Sequence, residues 1–147
     1  MSYLVDTDVL SEIRKRNRAN PQVVAWFRQR QPGELYLSVL TLGELRRGVE
    51  RIRRRDPTSA AVLNAWLDQT MREFRDRIIV VDQAIADRWG RLGTVDPIPV
   101  IDGLIAATAL ERGLVVATRN VKHVAPTGAQ CIDPFEESQD RAQPTTE

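Results

Sequence analysis

Apolar and polar positions divide the chain into short apolar runs separated by longer stretches of helical spacing. Tyr3-Leu4-Val5, Leu35-Tyr36-Leu37, Ile78-Ile79-Val80-Val81, Leu114-Val115-Val116-Ala117 and the segment around Cys131-Ile132 are apolar or β-branched, the pattern of short buried strands. Between them, Asn20-Pro21 supplies an N-cap and a proline at the first helical position, followed by an apolar face of Val23, Val24, Trp26 and Phe27. Leu42, Leu45, Val49 and Ile52 recur at helical spacing after Ser38, and Val62, Leu63, Trp66, Leu67, Met71 and Phe74 do so after Pro57-Thr58. Ile85, Trp89 and Leu92 mark a further helix, and 102–110 is apolar almost all round, as a buried helix would be.

Strands alternating with helices predict an α/β domain with a mostly parallel sheet covered on both faces. Such sheets bind ligands beyond the C-terminal ends of their strands. Asp6, just past the first strand, and Thr118 to Asn120, just past the fourth, are therefore the first positions to inspect. The chain has 147 residues, 42% of them hydrophobic, enough for one domain with a single core. Residues 1–135 read as that domain, and 136–147 as a polar, flexible tail.

Net charge is only +1, so any nucleic-acid surface must come from the distribution of charge rather than its total. Residues 1–55 hold twelve Lys or Arg against six Asp or Glu, whereas 133–147 hold five acids and only Arg141. The lone Cys131 excludes an intrachain disulfide and a C-x-x-C motif, which suits a reducing cytoplasm. No stretch approaches the roughly 20 apolar residues of a membrane span, and no basic segment leads into a long apolar run; the expectation is a soluble, unprocessed protein away from membranes.

Three acids stand at the starts of buried elements. Asp6 follows a strand directly, where a carboxylate is held rigidly yet faces the ligand crevice; helix capping by Asp6, Asp8 or Ser11 is the plainer alternative. Glu44 closes Thr41-Leu42-Gly43-Glu44, which reads as a capping box. At about 100 degrees per residue, however, Glu44 shares a face with Gly48, Arg51 and Arg55, away from the apolar stripe. Asp102 opens its apolar helix and is accounted for by an N-cap. Capping does not explain three such acids together. Clustered carboxylates repel unless a cation neutralises them, and hard divalent cations take oxygen ligands, so Mg²⁺ or Mn²⁺ is the expected occupant. The six arginines from Arg46 to Arg55 otherwise form a solvated face with pairs such as Glu50–Arg54.

Five blocks in order, Tyr3 to Glu12, Leu37 to Gly48, Ile101 to Ala109, Val116 to Asn120 and Ile132-Asp133-Pro134-Phe135, resemble the VapC/FitB-like PIN-domain toxins over about residues 3–135. The resemblance implies a three-layer sandwich with a five-stranded sheet, a homodimer, and Mg²⁺-dependent RNA cleavage restrained by a cognate antitoxin. It places Asp6, Glu44 and Asp102 on the family's metal-holding acids and Asn120 on a fourth site position. Where many relatives carry an acid after Thr-Arg this chain has Asn120, and where many continue Asp-Phe it has His123-Val124. Asn120 offers a carbonyl oxygen or orients water but adds no charge. Arg47, Arg51, Arg55 and Arg119 are the candidate RNA contacts.

His123, the only histidine, would have to serve any histidine triad, and no G-x-S-x-G elbow accompanies it; it reads as a loop residue, incidental or in contact with RNA. Trp26, Trp66 and Trp89 fall on apolar helical stripes and read as core or dimer-interface residues. Two other readings compete. Val5-Asp6-Thr7-Asp8-Val9 resembles the haloacid-dehalogenase-type phosphatases, with Asp6 as nucleophile and Asp8 as acid/base. That reading lacks a suitable later lysine, since only Lys15 and Lys122 exist, and leaves Glu44 and Asp102 unexplained. The second is a binding protein that keeps the PIN fold and an antitoxin partner but no longer cuts RNA, for which Asn120 is the supporting feature.

Overall fold

The structure is a computed structural model, in which residues 1–93 and 96–136 are described. Five strands, β1 (Tyr3–Val5), β2 (Leu35–Ser38), β3 (Ile78–Ile79), β4 (Val115–Ala117) and β5 (Cys131–Ile132), form one sheet in the order β3-β2-β1-β4-β5. Every pairing is parallel, so the expected mostly parallel sheet is wholly parallel among the described residues. The helices are α1 (Thr7–Ile13), α2 (Pro21–Arg28), α3 (Val39–Arg53), α4 (Pro57–Glu73), α5 (Gln83–Arg91), α6 (Val100–Arg112) and α7 (Val121–Val124).

Strand side chains alternate between two cores, as a period of two dictates. Tyr3, Val5, Leu35, Leu37, Val115 and Ala117 face one core, which α1 to α4 close with Val9, Leu10, Val23, Trp26, Leu45, Val49, Leu63 and Leu67. Leu4 and Val116 face the other, where α6 packs through Ile105, Ala106 and Ala109 and α7 through Val124. The result is the expected three-layer sandwich.

Strand and helix ends differ from the sequence reading for local reasons. β3 stops at Ile79 because its partner ends at Ser38, and Val80, without a neighbour to pair with, is 59% exposed. α3 begins at Val39 with Ser38 as its N-cap, whose Oγ accepts from the Leu40 amide at 3.1 Å. The Thr41–Glu44 capping box is therefore not formed: Thr41 lies inside the helix with a buried Oγ1 that has no partner. α6 begins at Val100 after Pro99, so Asp102 is a first-turn residue and not a cap. The helix ends at Gly113, whose left-handed backbone (φ 65°, ψ 39°) is where a glycine C-terminus is favoured.

α5 and α6 approach closely at Gly103, where a Cβ would lie 3.1 Å from the Trp89 ring. Trp26 is core, Trp66 packs at the edge of the same core, and Trp89 remains 39% exposed. Of the expected tail, only Glu136 falls within the described residues.

Candidate active site

The chain winds outward from β1 to β2 and β3, then crosses back to add β4 and β5 on the other side of β1. The reversal between β1 and β4 opens a crevice at their C-terminal ends, the usual ligand position in such sheets. Asp6 and Thr118 are the first residues past these strands, and the Asp6 amide still donates to the Ala117 carbonyl at 2.9 Å.

Asp6 is 6% exposed and makes two hydrogen bonds. Its Oδ1 accepts from the Thr7 amide at 2.8 Å, and its Oδ2 accepts from Thr118 Oγ1 at 2.8 Å. The first bond caps α1, as the plainer reading expected; the second is a buried tie across the sheet reversal that capping does not need. Thr118 Oγ1 in turn accepts from the Asn120 amide at 3.0 Å, so the turn after β4 is built on Asp6. Thr7 Oγ1 donates to Glu44 Oε1 at 2.7 Å, which brings the α3 acid to the end of β1. Freed of a capping role, Glu44 is available to the crevice.

Electrostatics mark this corner as strained. Burial, then the charge of Asp8, push the Asp6 carboxyl from its usual 3.8 up to about 6; Glu44 adds to the rise, and the bonds from Thr118 and Thr7 oppose it. Burial also pushes the Asp8 carboxyl up, against the hydrogen bond from the Arg119 amide at 3.0 Å. The other Asp8 oxygen, Oδ1, is buried with no partner. Oxygen donors whose negative charge is unrelieved suit a hard divalent cation.

Asp102 is placed differently. Its Oδ2 lies 2.6 Å from Nδ1 of His123, on α7. Among the described residues, no three Asp, Glu, His or Cys side chains converge closely enough to enclose a cation. Asp6 and Glu44 are thus brought together, with Asp8 beside them, while Asp102 is turned to His123. Asn120 caps α7 in position only, without a side-chain bond, and is exposed.

Of the candidate RNA contacts, Arg47 and Arg51 are exposed on α3 and in no ion pair among the described residues. Arg55 lies beyond the end of α3 at Arg53, so it does not share the helical face of Glu44. Arg46 is taken up by Asn64 and Asp68 of α4, and Glu50 pairs with Arg53 at 3.2 Å rather than with Arg54. The Arg119 guanidinium sits 4.2 Å over the Phe135 ring, which holds a cation at the rim. Thr7 and the His123–Asp102 contact were not foreseen. A threonine after Asp6 carries no pattern of its own, and the histidine's partner is 21 residues away in sequence.

The sequence pattern of the PIN domain family matches residues 3–125. Toxin FitB of Neisseria gonorrhoeae is 35% identical over 123 residues, which cover 80% of this chain and 86% of the relative. VapC ribonuclease Y4jK of Sinorhizobium fredii is 32% identical over 143 residues, 90% of this chain and 97% of its own. The solved structure of FitAcB from Neisseria gonorrhoeae superposes with a TM-score of 0.83 at 32% identity, covering 90% of this chain and 98% of the other.

Proposed function

The chain belongs to the PIN-domain family, and on that premise we propose that it is a Mg²⁺-dependent endoribonuclease, the toxin of a toxin–antitoxin module. The observation that carries the reading is the corner at the sheet reversal, where Asp6 is buried and raised to about 6 in part by Asp8 and Glu44. Folding such acids together is costly without a cation, and a site that keeps them is built for function more than for stability. The relatives named a toxin and a ribonuclease supply the activity to which that chemistry belongs.

Asp6, Glu44 and Asp102 would hold one or two Mg²⁺ ions, with Mn²⁺ as a substitute; bound there, the metal supplies Lewis-acid polarisation of a phosphodiester and an acidified attacking water. Asp6 is fixed for this by Thr7 and Thr118, so its carboxylate cannot swing as charge develops. Glu44 is oriented by the Thr7 hydroxyl. Asn120, beside them on the β4 turn, offers a neutral oxygen at the edge of the site. Arg119, with Arg47 and Arg51, supplies cations for the RNA backbone, and Arg119 is preset by its stacking on Phe135. Single-stranded loops are the fitting substrate, since their unstacked bases are open to recognition whereas a regular duplex hides them. We assign a cognate antitoxin as inhibitor, a homodimer as the working form and the cytoplasm as the compartment. No helix among the described residues is long and apolar enough to cross a membrane.

A second reading, a PIN-fold binding protein that no longer cuts RNA, is favoured by the neutral Asn120 and by the turning of Asp102 toward His123. Sequencing RNA 5′ ends after induced expression of the wild type and of Asp102→Asn separates the two. New ends at defined positions in the wild type alone support the nuclease; equal profiles from both proteins support the binding protein.

A further inference from the structure

Two clefts among the described residues open at the surface. The larger, about 660 Å³, is lined by Ser2 and Gly113-Leu114, which precede β1 and β4, and so lies at the end of the sheet away from the acids. The smaller, about 440 Å³, is lined by residues 91–93 and 96–99 on one side and by Lys122, His123, Pro126 and Thr127 on the other. His123 lines the smaller cleft and also touches Asp102, its Nδ1 lying 2.6 Å from Asp102 Oδ2. The cleft therefore begins one side chain away from a proposed metal-holding acid.

We propose that this cleft seats one nucleotide of the RNA next to the scissile phosphate, and by doing so sets where the RNA is cut. The inference rests on the ribonuclease reading and adds a specificity subsite to it. Its volume falls within the roughly 300–1,000 Å³ of small-molecule pockets, and its walls have the mixture a nucleotide needs. Pro97 and Ile98 supply apolar surface for a base. The His123 imidazole, about half exposed and anchored on Asp102, supplies an aromatic face of the kind on which unpaired bases stack. Lys122 is exposed, lines the same cleft and is in no ion pair among the described residues, which leaves its ammonium for a phosphate. Asp96, the sole acid among the lining residues, offers acceptor oxygens to the donor edge of a base.

Two measurements on the purified chain test this. In the first, amide spectra are recorded with chelator present while each of the four ribonucleoside 5′-monophosphates is added. In the second, wild type, Lys122→Glu and Pro97→Trp cut a randomised single-stranded RNA pool whose new 5′ ends are sequenced. Lys122 and Pro97 are both exposed, so neither change disturbs a core. The proposal expects shifts concentrated at Ile98 and residues 121–127, unequal among the four bases, a flanking-base preference that falls about tenfold in Pro97→Trp, the loss of one stacked base, and in Lys122→Glu a weakening of cleavage that is alike for all sequences, the loss of a phosphate contact. Shifts elsewhere or none, or the same preference in all three proteins, would overturn it. A wild type that leaves the pool uncut while the nucleotides still shift 121–127 would refute the ribonuclease reading and uphold the cleft as a nucleotide site.

Discussion

Replacing Asp6 by Asn should make the metal-free protein more stable while removing its activity, and the gain should depend on pH in a defined direction. The Asp6 carboxyl has a folded-state value of about 6 against 3.8 for the ordinary side chain. Below about pH 4 both folded and unfolded chains hold the proton, and Asp6 carries no penalty. As pH rises from about 4 to 6, the unfolded chain releases the proton first, so the wild type loses stability. Above about pH 7 the full penalty applies, about 3 kcal/mol at 1.36 kcal/mol per pH unit. Asn cannot titrate and escapes this slope. Its carbonyl still accepts from the Thr7 amide, but its NH₂ replaces the oxygen to which the Thr118 hydroxyl donates, so about 1 kcal/mol is lost there. The net gain at about pH 7.5 is about 2 kcal/mol, or a rise of about 4–8 °C in Tm for a chain of this size. Urea melts of both proteins in chelator from about pH 4 to 8 measure it. Parallel stability curves, or a variant less stable at every pH, would show that Asp6 is a structural cap and not a strained site residue.

Asn120→Asp adds a charged oxygen at the edge of the acid cluster and should tighten Mn²⁺ binding in calorimetric titration, whereas Asn120→Ala should weaken it; equal affinities would place residue 120 outside the site. Replacing Arg47 and Arg51 together by Gln should reduce the slope of log Kd for single-stranded RNA against log salt by about 1.4, two phosphate contacts' worth, and an unchanged slope would return these residues to a solvated helix face. Gly103→Ala should cost about 1 kcal/mol net in thermal melts, because crowding of its Cβ at 3.1 Å from the Trp89 ring outweighs the roughly 1 kcal/mol that alanine gains over glycine inside a helix; a stabilised variant would mean that the Trp89 ring gives way freely.

Strand positions were legible because each apolar run is short and bounded, and because the central strands β1, β2 and β4 are buried in a parallel sheet, where continuous apolar stretches are the rule. Pro57 as the start of α4 followed from helical spacing together with a proline at the first helical position. What escaped was set by tertiary partners. The end of β3 depends on where β2 stops, and a competing cap at Ser38 displaced the Thr41–Glu44 box by nearly a turn. In the site, Asp6 and Thr118 to Asn120 were legible as crevice positions because each follows a strand, whereas the pairing of β1 with β4 that makes Asp6 and Thr118 neighbours was set by the sheet order. The bridge from Thr7 to Glu44 spans 37 residues, and the one from His123 to Asp102 spans 21; neither leaves a periodic trace. The four-residue α7, too short for a helical repeat, hid the fact that His123 faces Asp102.

The most direct measurement is single-turnover cleavage of an end-labelled, loop-containing RNA by excess purified protein, followed as Mg²⁺ is titrated from chelated to saturating, for the wild type and Asp102→Asn. Circular dichroism recorded in parallel confirms that both are folded. The account predicts no cleavage in chelator, a saturable rise with Mg²⁺ in the wild type, and a loss of more than about a hundredfold in the variant, beyond what residues that merely orient a ligand contribute. Cleavage that persists in chelator, or equal rates from the two folded proteins, would contradict it.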